Sequence, residues 1–146
     1  MIICLDYGHG GKDPGAMANG FKEKELNISI GRHCKDYLKS KGITVVETRT
    51  DTYSNPSLKQ RCEYANKWKV DLFVSIHNNA GGGDRGEVIH SILHGEGLKV
   101  AQFIGAEIKA IGQTVIKVYD RKGTNNRDYY AVIRDTNMPA VIVECA

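Results

Sequence analysis

The sequence predicts a single α/β domain, built on a mainly parallel, twisted β-sheet of about six strands that is flanked by helices. Three observations support this prediction. Short runs rich in valine and isoleucine recur along the chain, and several lack polar alternation, as do strands that are covered on both faces. Stretches with the apolar spacing of helices lie between these runs. The length of 146 residues fits one domain, and the chain has no internal repeat or linker.

Five of the apolar runs are predicted to be strands, because each is short and rich in valine and isoleucine. They comprise residues 2–5, 43–46, 72–76, 88–93 and 140–143. Since helical patterns alternate with these runs, we expect right-handed crossovers between parallel strands. Residues 113–139 follow no pattern that predicts a structure.

Three helices are predicted between the strands. The first ends near Gly42, and its apolar face consists of Leu26, Ile30, Cys34, Tyr37 and Leu38. The second is predicted to have Asn55 as its N-cap and Pro56 in its first position. The third ends near Gly112. The apolar faces of the last two consist of Leu58, Cys62 and Ala65, and of Leu98, Ala101, Ile104, Ile108 and Ile111.

The composition is that of an ordinary globular protein, with 41% hydrophobic residues, 25% charged residues and a net charge of +3. It excludes a disordered chain, a coiled coil and a disulfide-dense miniprotein. No basic patch indicates binding to nucleic acid, and no apolar run approaches the roughly 20 residues of a membrane helix. The N-terminal residues lack the features of a signal peptide. We therefore expect cytoplasmic synthesis, or a domain excised from a longer protein.

The four cysteines, Cys4, Cys34, Cys62 and Cys145, are widely spaced and include no C-x-x-C pair. Two lie in or beside apolar strand runs, and two lie on apolar helix faces. We therefore expect four buried thiols rather than disulfides or a zinc–thiolate site.

Chemically active side chains follow three of the predicted strands. His9 lies in the glycine-rich segment after the first strand, His77 follows the third, and Glu144 follows the last. Functional groups of open α/β sheets gather beyond the carboxyl ends of the strands, so we expect the active site there. Two histidines and a carboxylate, with a further glutamate, suffice for a hydrolytic zinc site. The further glutamate is Glu23 or Glu25, between which the spacing does not decide.

Each candidate also has a purely structural interpretation. His77 at a strand end fits a buried histidine whose hydrogen bonds are satisfied, and Glu23 fits a solvated acid in the first turn of a helix. Glu144 ends an apolar strand and needs a partner, which favours a role in a site. His90 and His94 are four residues apart, but they lack the glutamate of an H-E-x-x-H motif. We interpret these two as surface or supporting residues.

The glycine-rich segment from Gly8 to Gly15 does not match the known phosphate-binding loops. Asp13 stands where a dinucleotide-binding loop has its third glycine, and where a Walker A loop has serine or threonine. Asp6 stands in place of the first Walker A glycine. The glycines are therefore expected to permit a tight turn around His9.

A larger set of segments is shared with a known family. They are LDYGHGGKDPGA (5–16), GFKEKELN (20–27), TRTD (48–51), Arg61 with Ala65 and Asn66, VSIHNNA (74–80) and MPAVIVEC (138–145). In these segments, which follow the family's order over essentially the whole chain, the sequence resembles the zinc-dependent N-acetylmuramoyl-L-alanine amidases of the amidase type 3 family. Members of that family occur as autolysins, spore-lysis enzymes and phage endolysins.

The resemblance implies that His9, Glu23 and His77 hold one Zn²⁺ per chain, and it selects Glu23 over Glu25. It implies that Glu144 is the catalytic glutamate. The implied reaction is hydrolysis, by a zinc-activated water, of the amide bond that joins the lactyl group of N-acetylmuramic acid to L-alanine of the peptidoglycan stem peptide.

The resemblance also implies roles outside the metal site. Asn78 and Asn79 would line the substrate groove, and Arg49 with Asp51, and Arg61, would support the fold. We expect a monomer that acts on peptidoglycan in the bacterial cell wall, without nucleic acid and without membrane insertion. The alternatives are a zinc peptidase that acts on another amide of the stem peptide, and a non-catalytic wall-binding module.

The chain departs from the family at two points. The family usually has proline where Tyr7 stands, and it continues past the glutamate with a loop and a final helix, whereas this sequence stops at Ala146. We therefore expect residues 1–146 to be a single amidase catalytic domain that lacks the C-terminal helix. It would act after release by lysis, or as an excised domain of a secreted protein.

Overall fold

A computed structural model describes residues 1–81 and 83–145. The expectation of a missing C-terminal helix depends on Ala146, which lies outside the described residues. The described strands are β1 (Ile2–Tyr7), β2 (Met17–Ala18), β3 (Phe21–Lys22), β4 (Thr44–Glu47), β5 (Leu72–Asn78), β6 (Gly86–His90), β7 (Ile116–Asp120) and β8 (Ala140–Cys145). The described helices are α1 (Glu23–Ser40), α2 (Leu58–Trp68), α3 (Gly95–Ala110) and α4 (Ala131–Arg134).

Six strands form the central sheet, in the order β4-β1-β5-β8-β6-β7. β4, β1, β5 and β8 are parallel to one another. β6 and β7 are parallel to each other but antiparallel to β8. The prediction of a mainly parallel six-stranded α/β sheet is confirmed. The carboxyl ends of β1, β5 and β8 therefore meet at one edge of the sheet, and those of β6 and β7 lie at the opposite edge.

Helices cover both faces of the sheet. On one face, α2 and α4 pack over a core that includes Cys4, Phe73 and Ile142. On the other face, α1 packs over the β1 side of the sheet and α3 over the β6 and β8 side. Apolar residues on both faces explain why the predicted strands show little polar alternation. No described helix has the length and hydropathy of a membrane-spanning segment.

Two details of the predicted helices are wrong. Ser57, not Asn55, caps α2, because the side chain of Ser57 accepts from the backbone of Gln60 while the side chain of Gln60 accepts from the backbone of Ser57. On α1, Ile30 and Tyr37 are exposed. The buried residues of that helix are instead Glu23, Asn27, Ile28 and Gly31. Of the predicted face, Cys34 and Leu38 pack against the core, so the buried side of the helix is rotated from the one that the periodicity assigns.

Gly31 is buried on α1 because it lies directly against the ring of Tyr7. A Cβ atom at this position would overlap that ring. The ring is fully buried, and its hydroxyl donates to Glu47 at 2.9 Å. We expect Gly31→Ala to lower the free energy of unfolding by about 1–3 kcal/mol or more, because the ring or the helix must move. Chemical denaturation measures this change.

Gly97 provides the matched control, since it is a buried glycine of α3. A Cβ atom there would meet the carbonyl oxygen of Ala140 at 3.7 Å, an ordinary contact. Alanine is the better helix former, so Gly97→Ala is expected to leave stability unchanged or to raise it by up to about 1 kcal/mol. An equal loss of stability in both variants would contradict the assigned clash.

Candidate metal centre

His9 lies two residues beyond β1, in the glycine-rich segment. Its backbone is left-handed, with φ at 61°. Its Nδ1 lies 2.8 Å from Oδ2 of Asp13, and its Nε2 lies 3.0 Å from Oε2 of Glu23. Asp13 thus holds one ring nitrogen, while the other nitrogen faces the carboxylate of Glu23.

Glu23 is the first residue of α1 and is buried, with 6% of its surface exposed. Its Oε2 accepts from the backbone of Ala16 at 2.8 Å, and its Oε1 accepts from the backbone of Asn78 at 3.2 Å. Oε1 also lies 3.0 Å from Nδ1 of His77, which is on β5. The interpretation of Glu23 as a solvated acid is wrong. Glu25 is the solvated one, with half of its side chain exposed.

His9, Glu23 and His77 bring one ligand atom each to within 4.8 Å of one another. In the described part of the chain, no other three histidines, cysteines or acids converge in this way. The two imidazole rings are 5.0 Å apart and nearly perpendicular. Two imidazole nitrogens and a carboxylate oxygen are a ligand set that Zn²⁺ accepts, with room left for a further ligand. The residues therefore fit a zinc ion.

Burial and hydrogen bonding shift the pKa values of Glu23 and His9. Burial alone would raise the pKa of Glu23, but hydrogen bonds from His77, His9 and two backbone amides lower it well below its usual range. The hydrogen bond to Glu23 raises the pKa of His9 to about 9, with a further contribution from Asp13 and an opposing one from burial. Because a metal binds imidazole and carboxylate in their deprotonated forms, metal binding at this cluster is coupled to proton release.

Glu144 lies beside this cluster. It is on β8, in register with His77 on the neighbouring parallel strand β5. Burial raises the pKa of its carboxyl group, and the nearby charges of Glu23 and Glu87 add to that effect. His9, His77 and Glu144 all line one cavity of about 570 Å³. The structure thus brings the three predicted strand-end residues together.

The cavity extends from these groups along α2 and α4. Its lining includes Leu58 of α2 and Val132 of α4, with Tyr130 directly before α4. Asp6 and Ser75 are buried and also line it. An elongated cleft with apolar side chains and a few polar groups is typical of a site for an extended organic substrate.

Asn78 and Asn79 do not line this cavity. The side chain of Asn78 donates to Asn27 at 2.7 Å, so it faces α1. The Nδ2 atom of Asn79 is buried and has no hydrogen-bond partner among the described residues. Their assignment to the substrate groove stays a prediction.

Sequence reasoning missed two residues that support the ligands. Asp13 holds His9, and Asn27 donates to Gly8 at 3.1 Å and approaches Glu23 at 3.4 Å. Asn27 follows Glu23 by four residues, which is about one helical turn. At the start of a predicted helix, this spacing indicates that the two side chains are neighbours.

The other histidines and the cysteines lie outside the cluster. His90 is buried, with 4% exposed, so its interpretation as a surface residue is wrong. It contacts the exposed His94 ring, and His94 pairs with Asp120 at 3.3 Å. All four cysteines are free, as expected, although only Cys4 and Cys62 are fully buried. Burial raises their pKa values to about 12 and about 11, which makes these thiols poor nucleophiles.

Comparison with known proteins decides the family. A family described as N-acetylmuramoyl-L-alanine amidase, amidase type 3, matches residues 3–146. The chain belongs to the amidase type 3 family.

Two relatives are similar to this chain over nearly its whole length. The endolysin of Bacillus phage SPP1 is 35% identical over 98% of this chain and 53% of its own length. The N-acetylmuramoyl-L-alanine amidase CwlM of Bacillus licheniformis is 35% identical over 97% of this chain and 54% of its own length. The chain thus spans about half the length of these two relatives.

Solved structures of other proteins share the fold. Cwp6 from Clostridium difficile superposes with a TM-score of 0.93 at 33% identity, over 99% of this chain and 24% of the other. An N-acetylmuramoyl-L-alanine amidase from Clostridium difficile 630 superposes with a TM-score of 0.84 at 29% identity, over 99% of this chain and 78% of the other.

Proposed function

We propose that this chain hydrolyses the amide bond between the lactyl group of N-acetylmuramic acid and L-alanine in peptidoglycan. The observation that carries the proposal is the convergence of His9, Glu23 and His77 beside the buried Glu144, in a chain of the amidase type 3 family. The similarity to an endolysin and to an N-acetylmuramoyl-L-alanine amidase supports this activity and action on the cell wall.

His9, Glu23 and His77 would hold one Zn²⁺ per chain. When bound, the metal lowers the pKa of a coordinated water to about 7 and polarises the carbonyl group under attack. Asp13 keeps the His9 ring in place through Nδ1, which leaves Nε2, on the side of Glu23, as the atom that would bind the metal. Glu23 is held by two backbone amides, which leaves its carboxylate little freedom to rotate.

Glu144 would act as the general base and then as the general acid. It takes a proton from the attacking water and returns it to the nitrogen of L-alanine as that amine leaves. Its position next to His77 supports this role. Because burial raises its pKa, the carboxylate is a stronger base than that of an exposed glutamate.

The cleft along α2 and α4 would bind the substrate on one side of the scissile bond. The apolar surfaces of Leu58, Tyr130 and Val132 would contact the substrate there.

Metal content and wall hydrolysis test this function together. We expect one zinc per purified chain and release of dye from labelled peptidoglycan. A chelator should abolish the release, and added zinc should restore it, because Glu144 alone cannot activate water sufficiently. New amino groups should belong to L-alanine. Amino groups from within the stem peptide would indicate a peptidase instead, and bound zinc without hydrolysis would indicate a wall-binding module.

A further inference from the structure

We propose that Arg61, together with Arg49, is a positioning residue for the metal ligand His9. The proposal rests on the metal centre proposed above. It concerns the backbone segment from Tyr7 to His9, which leaves the sheet and carries the ligand.

Arg61 lies on α2 and is buried, with 4% of its surface exposed. It lines the cleft, yet each of its five N–H groups already has an acceptor within the protein. The acceptors, with their distances, are the carbonyl of Pro56 (2.9 Å), Oδ1 of Asp6 (2.6 Å), the carbonyl of Tyr7 (2.8 Å), the carbonyl of His9 (3.1 Å) and Oδ1 of Asn55 (3.1 Å). No donor of Arg61 remains for substrate.

Arg49 approaches the same segment from another direction. It is also buried, with 3% exposed. Its Nε donates to the carbonyl of Tyr7 at 2.8 Å, and its Nη2 donates to the carbonyls of Gly8 and Lys24 at 2.9 Å each. Lys24 directly follows Glu23 at the start of α1. Arg49 therefore connects the segment that carries His9 to the helix that carries Glu23.

The two arginines thus satisfy three consecutive carbonyl groups, those of Tyr7, Gly8 and His9. Their hydrogen bonds hold the segment where His9 adopts a left-handed backbone, a conformation that residues other than glycine rarely adopt. The direction of the His9 ring follows from that backbone. The guanidinium groups therefore fix where Nε2 points before any metal arrives.

Arg61→Lys tests this proposal while it keeps a positive charge beside the buried Asp6, which is 1% exposed. A lysine ammonium has three donors at one point and cannot reach the same acceptors. We expect the zinc dissociation constant, measured by competition with a chromophoric chelator, to rise about 10–100-fold, as for other residues that orient metal ligands. The visible absorption bands of the Co²⁺-loaded protein should also change, because they report the ligand geometry.

Arg32→Lys is the matched control. Arg32 lies on the exposed side of α1 and also donates to a carbonyl, that of Thr50, at 2.8 Å. It does not contact the segment from Tyr7 to His9. Its variant is expected to keep the zinc affinity and the Co²⁺ spectrum of the wild type.

Arg49→Lys is the second test, in case Arg61→Lys fails to fold. Arg49 makes no hydrogen bond to Asp6, so this variant leaves the ion pair of that buried carboxylate in place. It should shift zinc affinity and the Co²⁺ spectrum in the same direction. Folded variants with wild-type affinity and spectrum, even at lower stability, would overturn the positioning role while leaving the metal centre intact. If the wild type itself binds neither Zn²⁺ nor Co²⁺, the metal centre and the proposal that rests on it both fail.

Discussion

Glu144→Gln is expected to keep its zinc and to lose about 10²–10⁴-fold in the rate of peptidoglycan hydrolysis. Glutamine has nearly the same shape as glutamate, so the cleft and the β8 strand should be unchanged. Its amide cannot accept the proton of the attacking water. The loss should therefore appear in kcat, since the substrate still binds.

The metal content and the melting temperature of this variant separate catalysis from folding. Because burial raises the pKa of Glu144 above its value in the unfolded chain, ionisation of this group as the pH rises opposes folding. The uncharged glutamine should therefore not lower the melting temperature of the apoprotein. Glu25→Gln, which removes an exposed carboxylate at the start of α1, is the control. Turnover near the wild-type rate in Glu144→Gln would remove Glu144 from the mechanism.

His77→Ala is expected to lose both metal and activity. It deletes one of three protein ligands, and even residues that only orient ligands account for about 10–100-fold in metal affinity. The zinc dissociation constant should therefore rise by more than about 100-fold. Because Glu23 also loses the partner of its Oε1 atom, the remaining site would be less well ordered.

Elemental analysis after dialysis measures this loss, and His33→Ala is the control. His33 lies on the exposed side of α1, and its Nδ1 lies 2.8 Å from the carbonyl oxygen of Ser29. The control should retain one zinc and full activity. If His77→Ala also retained one zinc per chain, His77 would not be a ligand.

The central sheet could be predicted because its strands are buried on both faces. Residues 2–5, 72–76 and 140–143 are apolar without alternation, which places them inside an α/β sheet. β7 was missed because it lies at the sheet edge, where residues such as Ile116 and Lys117 alternate in character. The reversed direction of β6 and β7 depends on long-range pairing, about which local sequence says nothing.

The site residues that lie at or just beyond the ends of strands could be predicted from the sequence. His9, His77 and Glu144 could be placed at one edge because parallel strands end together. Glu23 could not be distinguished from Glu25 by spacing, since both fall in the first turn of α1 and only the orientation of the helix buries one of them. The role of Asp13 depends on the left-handed turn at His9, which brings the two side chains together.

The close contact between Tyr7 and Gly31 restricts how this sequence can change over evolutionary time. A methyl group at position 31 would overlap the tyrosine ring. A larger residue can therefore be accepted at position 31 only after Tyr7 has been replaced by a smaller one. A homologue with proline at position 7 has no aromatic ring there, so it has space for alanine or serine at position 31. In an alignment of homologues, the two positions should therefore co-vary although 23 residues separate them.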